Sequence, residues 1–214
     1  MKSIEVFIHH LNEPQEWLEA CQSSLESLTP TTLPATIGKP IGYDMASVIS
    51  NVLSVKDRPD YIMFADPDNI YSSRIIQSLA DQMTDQPIGY TAEATSTLLP
   101  RAPQCYQDLS YHPNKHFHLP DLVHSCVLYS VPSIHAVLLR VPNLLDNLAQ
   151  LHVLAEWYLT LAMVLCSKHK RPASVAYTAD IGRIYRMHEG QAHRSNHSDE
   201  RKLFERFRQE LLNS

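Results

Sequence analysis

The 214 residues are 44% apolar, enough for a buried core, and carry a net charge of -5 with His neutral, so no overall basic field draws the chain to nucleic acid or an acidic membrane. Four cysteines, Cys21, Cys105, Cys126 and Cys166, lie far apart with no C-x-x-C pair, which argues against a zinc knuckle and fits a reduced chain in the cytoplasm. The opening MKSIEVFIHH has too short an apolar stretch for a signal peptide, and export is not expected.

In chain order, Ser3 to Ile8 reads as a buried strand, and NEPQEWLEACQSSLESL as the helix after it, with Pro14 in the first turn and a stripe of Trp17, Leu18, Cys21, Leu25 and Leu28. TPTTLPATIGKPIG holds at best a short or edge strand. Helical spacing returns through Met45, Val48, Ile49 and Val52. Asp60 to Ala65 is the clearest strand, and a helix is expected from Ser72 through Ile75, Ile76, Leu79 and Met83. The loop DPDNIYS therefore lies between a strand's carboxyl end and a helix start, where open α/β sheets bind ligands.

PIGYTAEATSTLL reads as extended, and the Pro- and His-rich PRAPQCYQDLSYHPNKHFHLPD as a long irregular loop, a kind that is usually functional or mobile. LVHSCVLYS is a strand and VPSIHAVLLRV begins a helix at Pro132. The window from Leu148 to Cys166 is long enough to span a bilayer, but Gln150, His152 and Glu156 make it a buried core helix. ASVAYT and RIYRMH are two short strands, and SDERKLFERFRQELL closes the chain as an amphipathic helix striped by Leu203, Phe204, Phe207 and Leu211. One α/β domain with a mixed sheet follows.

Three features carry possible chemistry. Asp66 and Asp68 flank Pro67; an Asp-x-Asp alone is as well explained by a turn or a helix cap. At the end of a buried strand, the same pair can hold a divalent ion whose shell a substrate's phosphates complete. Glu156, in an apolar window, needs a partner such as an Arg, or a role in proton transfer at a raised pKa. His112, His116 and His118 in HPNKHFH have the wrong spacing for one helix face and prolines on both sides, so a flexible acceptor-side loop is the better reading than a zinc site.

Taken together, the segments resemble glycosyltransferases of the GT-A fold, in particular the large family 2 group. IHHLNEPQEWLEACQSSL is similar to the family's first strand, Tyr-Asn-x-Pro-like turn and helix, and DYIMFADPDNIYSSRIIQSL to its strand with an aspartate-rich loop. AEWYLTLAMVL resembles the helix that carries the family's Glu-Asp and Trp, and IYRMHEGQAHRSN its Arg-x-His segment. The chain departs from the pattern in having no acidic pair between Leu28 and Tyr43, Ala155 where Glu is common, and His193 where Ser is common.

The resemblance implies a single GT-A-like, Rossmann-like α/β domain, a mixed central sheet flanked by helices. Residues 1–91 would form a nucleotide-sugar half, 92–197 an acceptor-side half and 198–214 a closing helix. It implies a metal-dependent transfer of a sugar from a nucleotide-sugar donor to a hydroxyl acceptor, with inversion. Asp66 and Asp68 would hold Mn²⁺ or Mg²⁺ with His188 as a third contact, and Glu156 would be the general base. His9, His10, Leu11, Asn12 and Glu13 would lie beside the nucleobase, with Asp44, Asp66 and Arg194 also among the donor-binding residues. Candidate acceptors are a soluble or lipid-linked glycan, a protein or a hydroxylated base in DNA. For the last, Arg194, Arg201, Lys202, Arg206 and Arg208 are interleaved with Asp199, Glu200, Glu205 and Glu210, which favours a solvated helix with i,i+4 pairing. A nucleotidyltransferase would want a Gly-rich loop that HHLNEPQ lacks. A catalytically inactive GT-A binding module is the non-enzymatic alternative.

Overall fold

The computed structural model describes residues 1–95, 100–101, 126–166, 175–186 and 197–213. Its strands are β1 (Ile4–His10), β2 (Thr31–Pro34), β3 (Tyr61–Ala65), β4 (Ile70–Tyr71), β5 (Ile88–Thr95), β6 (Pro100–Arg101), β7 (Val127–Ser130) and β8 (Ala176–Tyr185). They form a mixed sheet in the order β2-β1-β3-β7-β5-β8-β4, with β6 beside β5. β1, β2 and β3 run parallel, so their carboxyl ends, at His10, Pro34 and Ala65, point the same way. β7 is antiparallel to both β3 and β5.

The sheet is covered on both faces, which is why its central strands read as continuous apolar runs rather than alternating ones. Phe7, Ile62, Phe64 and Tyr129 belong to one core with helices α2 (Ile41–Ser54), α4 (Val131–Leu138), α5 (Leu144–Leu148), α6 (Ala155–Cys166) and α7 (Ser198–Asn213). Val6, Ile8, Tyr61, Met63 and Ala65 face the other way, against α1 (Gln15–Ser24) and α3 (Ser73–Gln82). Ile62 and Met63 are wholly buried, and each such side chain contributes about 2 kcal/mol relative to exposure.

Many expectations hold. Leu18, Cys21, Leu25 and Leu28 are the buried stripe after β1, Pro132 sits at the start of α4, and Phe204, Phe207 and Leu211 are the buried face of α7. β2 is the edge strand expected of the Thr- and Pro-rich segment. No described helix is long and apolar enough to cross a membrane.

Three readings are corrected. Leu148 to Cys166 is not one helix: α5 ends at Leu148 and α6 begins at Ala155. The intervening turn is fixed from elsewhere in the chain. A single carboxylate oxygen of Glu200, on α7, accepts the His152 N–H at 2.6 Å and the Leu154 N–H at 2.8 Å, while the Gly42 N–H of α2 donates to Leu151 O at 2.9 Å. Such remote capping is invisible to periodicity. ASVAYT and RIYRMH are likewise not separate strands; residues 176–185 form one strand that is accommodated against β5 by register shifts at Thr91–Ala92 and Ala92–Glu93. On α7, the charge pairs are i,i+3, Lys202 with Asp199 and Arg208 with Glu205, and Arg208 is buried.

Candidate active site

The apolar run of β3 ends at Ala65, and Asp66 is the first residue out of the sheet. Asn69 N–H donates to Asp66 O at 3.3 Å, closing a turn with Pro67 at its second position. The turn is pinned on several sides. The Asp66 N–H donates to the Tyr71 hydroxyl at 2.9 Å, the Tyr71 N–H donates to Ser24 Oγ at 3.1 Å, and β4 pairs with β8. The wholly buried Asn69 donates through Nδ2 to Asp66 Oδ2 at 3.3 Å and accepts the Arg186 N–H at 3.1 Å.

The Asp66 side chain, 61% exposed, is thereby held by one oxygen, which Arg183 Nη1 also approaches at 3.4 Å. Both aspartates help to push up the Cys21 thiol, to about 12, and the Tyr185 phenol, to about 12, with burial the larger cause in each case, and Oδ1 of Asp68 is itself buried.

Glu156 stands in the first turn of α6, at the mouth of the core rather than in the middle of a helix. Tyr129, on the central β7 between Ile62 and Ile88, donates its hydroxyl to Glu156 Oε1 at 3.3 Å and lies 2.8 Å from Thr160 Oγ1. The carboxyl is pushed up to about 8, by burial first and by the negative charge of Asp66 second; Arg183 and the Tyr129 bond oppose them. The helix N-terminus also favours the ionised form, yet burial prevails. Glu156 and Asp66 are thus electrostatically coupled. The partner of Glu156 is a tyrosine rather than the arginine considered from the sequence.

A second cluster sits at the ends of β1 and β2. Asp44, in the first turn of α2, accepts Thr36 N–H at 3.1 Å and Thr36 Oγ1 at 2.5 Å and lies 2.8 Å from His9 Nε2. Burial works to raise its pKa, but the bonds from Thr36 and His9 outweigh it and hold the carboxyl below the ordinary range. His9 thus meets Asp44. The rest of the His9 to Glu13 segment does not converge there: His10 is half-buried with its carbonyl bonded to Ala35 N, Leu11 and Asn12 are exposed, and Glu13 closes its own loop on Leu11 N–H at 2.7 Å.

The donor set fits a hard divalent cation. Mg²⁺ and Mn²⁺ need only one or two carboxylates when water and phosphate oxygens complete the shell, and Asp66 and Asp68 supply two on a stiffened turn. Among the described residues no three His, Cys, Asp or Glu side chains converge to hold an ion by themselves. His188 and Arg194 lie outside the described residues, as do His112, His116, His118 and His193.

Arg183, Glu93, Tyr129, Asn69 and Tyr71 were not singled out from the sequence. Asn69 had a local signal, an amide in an Asp-Pro-Asp-Asn turn. Arg183 had a weaker one, a cation inside a strand pattern. Tyr129 and Glu93 had none, because their partners are 27 and 90 residues away.

No family model and no curated protein matches the sequence. Solved structures do. S. aureus TarS 1–349 in complex with UDP-GlcNAc superposes with a TM-score of 0.65 at 11% identity, over 100% of this chain and 67% of that one. TarS 1–349 with UDP gives 0.58 at 10% identity, over 87% and 61%. A further S. aureus TarS structure gives 0.55 at 12% identity, with the chain spanning 37% of its length. With the strand order and the position of the carboxylates described above, these superpositions show that the chain has the GT-A-like glycosyltransferase fold.

Proposed function

We propose that the protein is a glycosyltransferase that moves a sugar from a nucleotide-sugar donor to a hydroxyl acceptor, with Asp66 and Asp68 on the donor's diphosphate side and Glu156 as general base. The observation that carries this reading is an exposed, anchored Asp66 just past the carboxyl end of the parallel strand β3, electrostatically coupled to the partly buried Glu156 of α6. The residues before position 92 form the donor half in this reading. The donor is a UDP-sugar, in keeping with the UDP-GlcNAc and UDP bound by the structural neighbours.

The acceptor oxygen attacks the anomeric carbon from the face opposite the diphosphate, the bond from that carbon to the diphosphate oxygen breaks, and the configuration inverts. Glu156 accepts the hydroxyl proton as the bond forms. A Mn²⁺ or Mg²⁺ held by Asp66 and Asp68, with His188 as a further contact, would neutralise charge on the departing diphosphate. His9 and Asp44 face the nucleobase, and Arg194 adds a donor contact. Buried thiols at Cys21 and Cys126 suit a cytoplasmic setting.

The test is a pair of variants assayed for UDP-sugar binding and for UDP release. Glu156→Gln should bind donor as the wild type does and lose turnover. Asp68→Ala should lose metal-dependent donor binding. Full turnover in Glu156→Gln would remove the base assignment.

A further inference from the structure

Arg183 lies on β8 opposite Glu93 of β5 on one side and Tyr71 of β4 on the other. Its guanidinium is 2% exposed, yet it serves two carboxylates: Nη2 donates to Glu93 Oε2 at 2.6 Å and Nη1 reaches Asp66 Oδ2 at 3.4 Å. Nε, also buried, has no acceptor among the described residues. A buried donor left in that state costs free energy, so the fork is kept in place at some expense to stability.

The local backbone is shaped for it. The register shifts between Thr91 and Glu93 set Glu93 opposite Arg183, and Gly182 lets the Thr91 side chain approach so closely that a Cβ there would come within 2.2 Å of Oγ1. Replacing both charged partners together by apolar groups would be the simpler way to build a stable core. The alternative use of a rigid planar fork is orientation.

We propose that Arg183 is a positioning residue for Asp66: anchored by Glu93, its guanidinium fixes the carboxylate orientation in which Asp66 meets the metal and the donor's diphosphate. The proposal rests on the donor-binding reading above. Arg183 acts through Asp66 Oδ2, which it reaches together with Asn69. Partners of this kind behind a metal ligand typically change metal affinity by about 10- to 100-fold when removed.

The experiment separates orientation from stability. Thermal unfolding and Mn²⁺-dependent binding of UDP are measured for wild type, Arg183→Lys, Arg183→Met and the double variant Arg183→Met with Glu93→Gln. Arg183→Met strands Glu93 and should lower Tm on the order of 10 °C; removing the Glu93 charge in the double variant should restore most of that. UDP binding with Mn²⁺ should stay at least about tenfold weaker in the double variant and in Arg183→Lys, because neither presents the fork to Asp66. Wild-type affinity in Arg183→Lys, or in a folded double variant, overturns the proposal. A wild type that binds no UDP with Mn²⁺ contradicts the donor-binding reading instead.

Discussion

The Tyr129 hydroxyl lies 3.3 Å from Oε1 of Glu156, joining the most central antiparallel strand of the sheet to the first turn of α6. The bond stabilises the ionised carboxylate against burial, and it ties the Glu156 side chain to the sheet. Glu156 nevertheless titrates at about 8, so a reaction that needs its ionised form should speed up as pH rises through about 8.

Tyr129→Phe removes that donor and leaves the ring in place. A hydrogen bond contributes about 1 kcal/mol, or about 0.7 of a pH unit, so the rising limb of the pH–rate profile should move to higher pH by roughly that amount. An unmoved limb would mean that another group controls it.

Glu156→Gln tests the same carboxyl through stability. Its folded pKa, about 8, lies above the ordinary value of 4.5, so between these pH values the folded state binds more protons than the unfolded one, and stability falls as pH rises. The variant carries no charge to bury. It should match the wild type near pH 4.5 and melt at a higher temperature above pH 8, with donor binding kept. Equal melting at both pH values would show that the carboxyl is not destabilised by its surroundings.

Glu200 sets the start of the helix that carries Glu156. Removing its acceptor in Glu200→Ala should cost about 1–2 kcal/mol, as for other caps, and lower kcat more than it weakens donor binding, because α6 begins at Ala155, directly after the capped Leu154. Chemical unfolding and steady-state kinetics read the two effects. Glu200→Gln, which keeps an oxygen acceptor, should retain most of both.

The contrast between what the sequence shows and what it hides follows from range. Asp66 and Asp68 are legible because a continuous apolar strand stops at Ala65 and a helical pattern restarts at Ser73, all within one window. Glu156 is legible as a carboxylate out of place, but not its setting: the break before α6 depends on Glu200, 44 residues or more downstream. Arg183 is silent for the same reason, since Glu93 and Asp66 lie 90 and 117 residues before it. Asp44 is legible as a carboxylate just past a stretch with no acidic pair, while its tie to Thr36 and His9 needs the parallel pairing of β1 with β2.

Gly42 packs directly on the turn that leads to α6, its N–H donating to Leu151 O at 2.9 Å. A Cβ there would stand 1.9 Å from Leu148 O and 2.6 Å from Leu151 O, both backbone. Gly42→Ala should therefore destabilise by at least about 2 kcal/mol, seen as a lower denaturation midpoint, and should disturb the Asp44 and Glu156 ends of the site together. An unchanged midpoint would mean that α2 can slide without cost.

The central claim is that this site binds a nucleotide sugar. The most direct measurement is thermal unfolding against a panel of nucleotide sugars with and without Mn²⁺. At about 100 times its dissociation constant a ligand adds about 2.7 kcal/mol, a rise of about 5–10 °C for a domain of this size. A UDP-sugar with Mn²⁺ should give such a rise, lost in Asp68→Ala; no rise with any donor, with or without metal, would rule out nucleotide-sugar binding at this site.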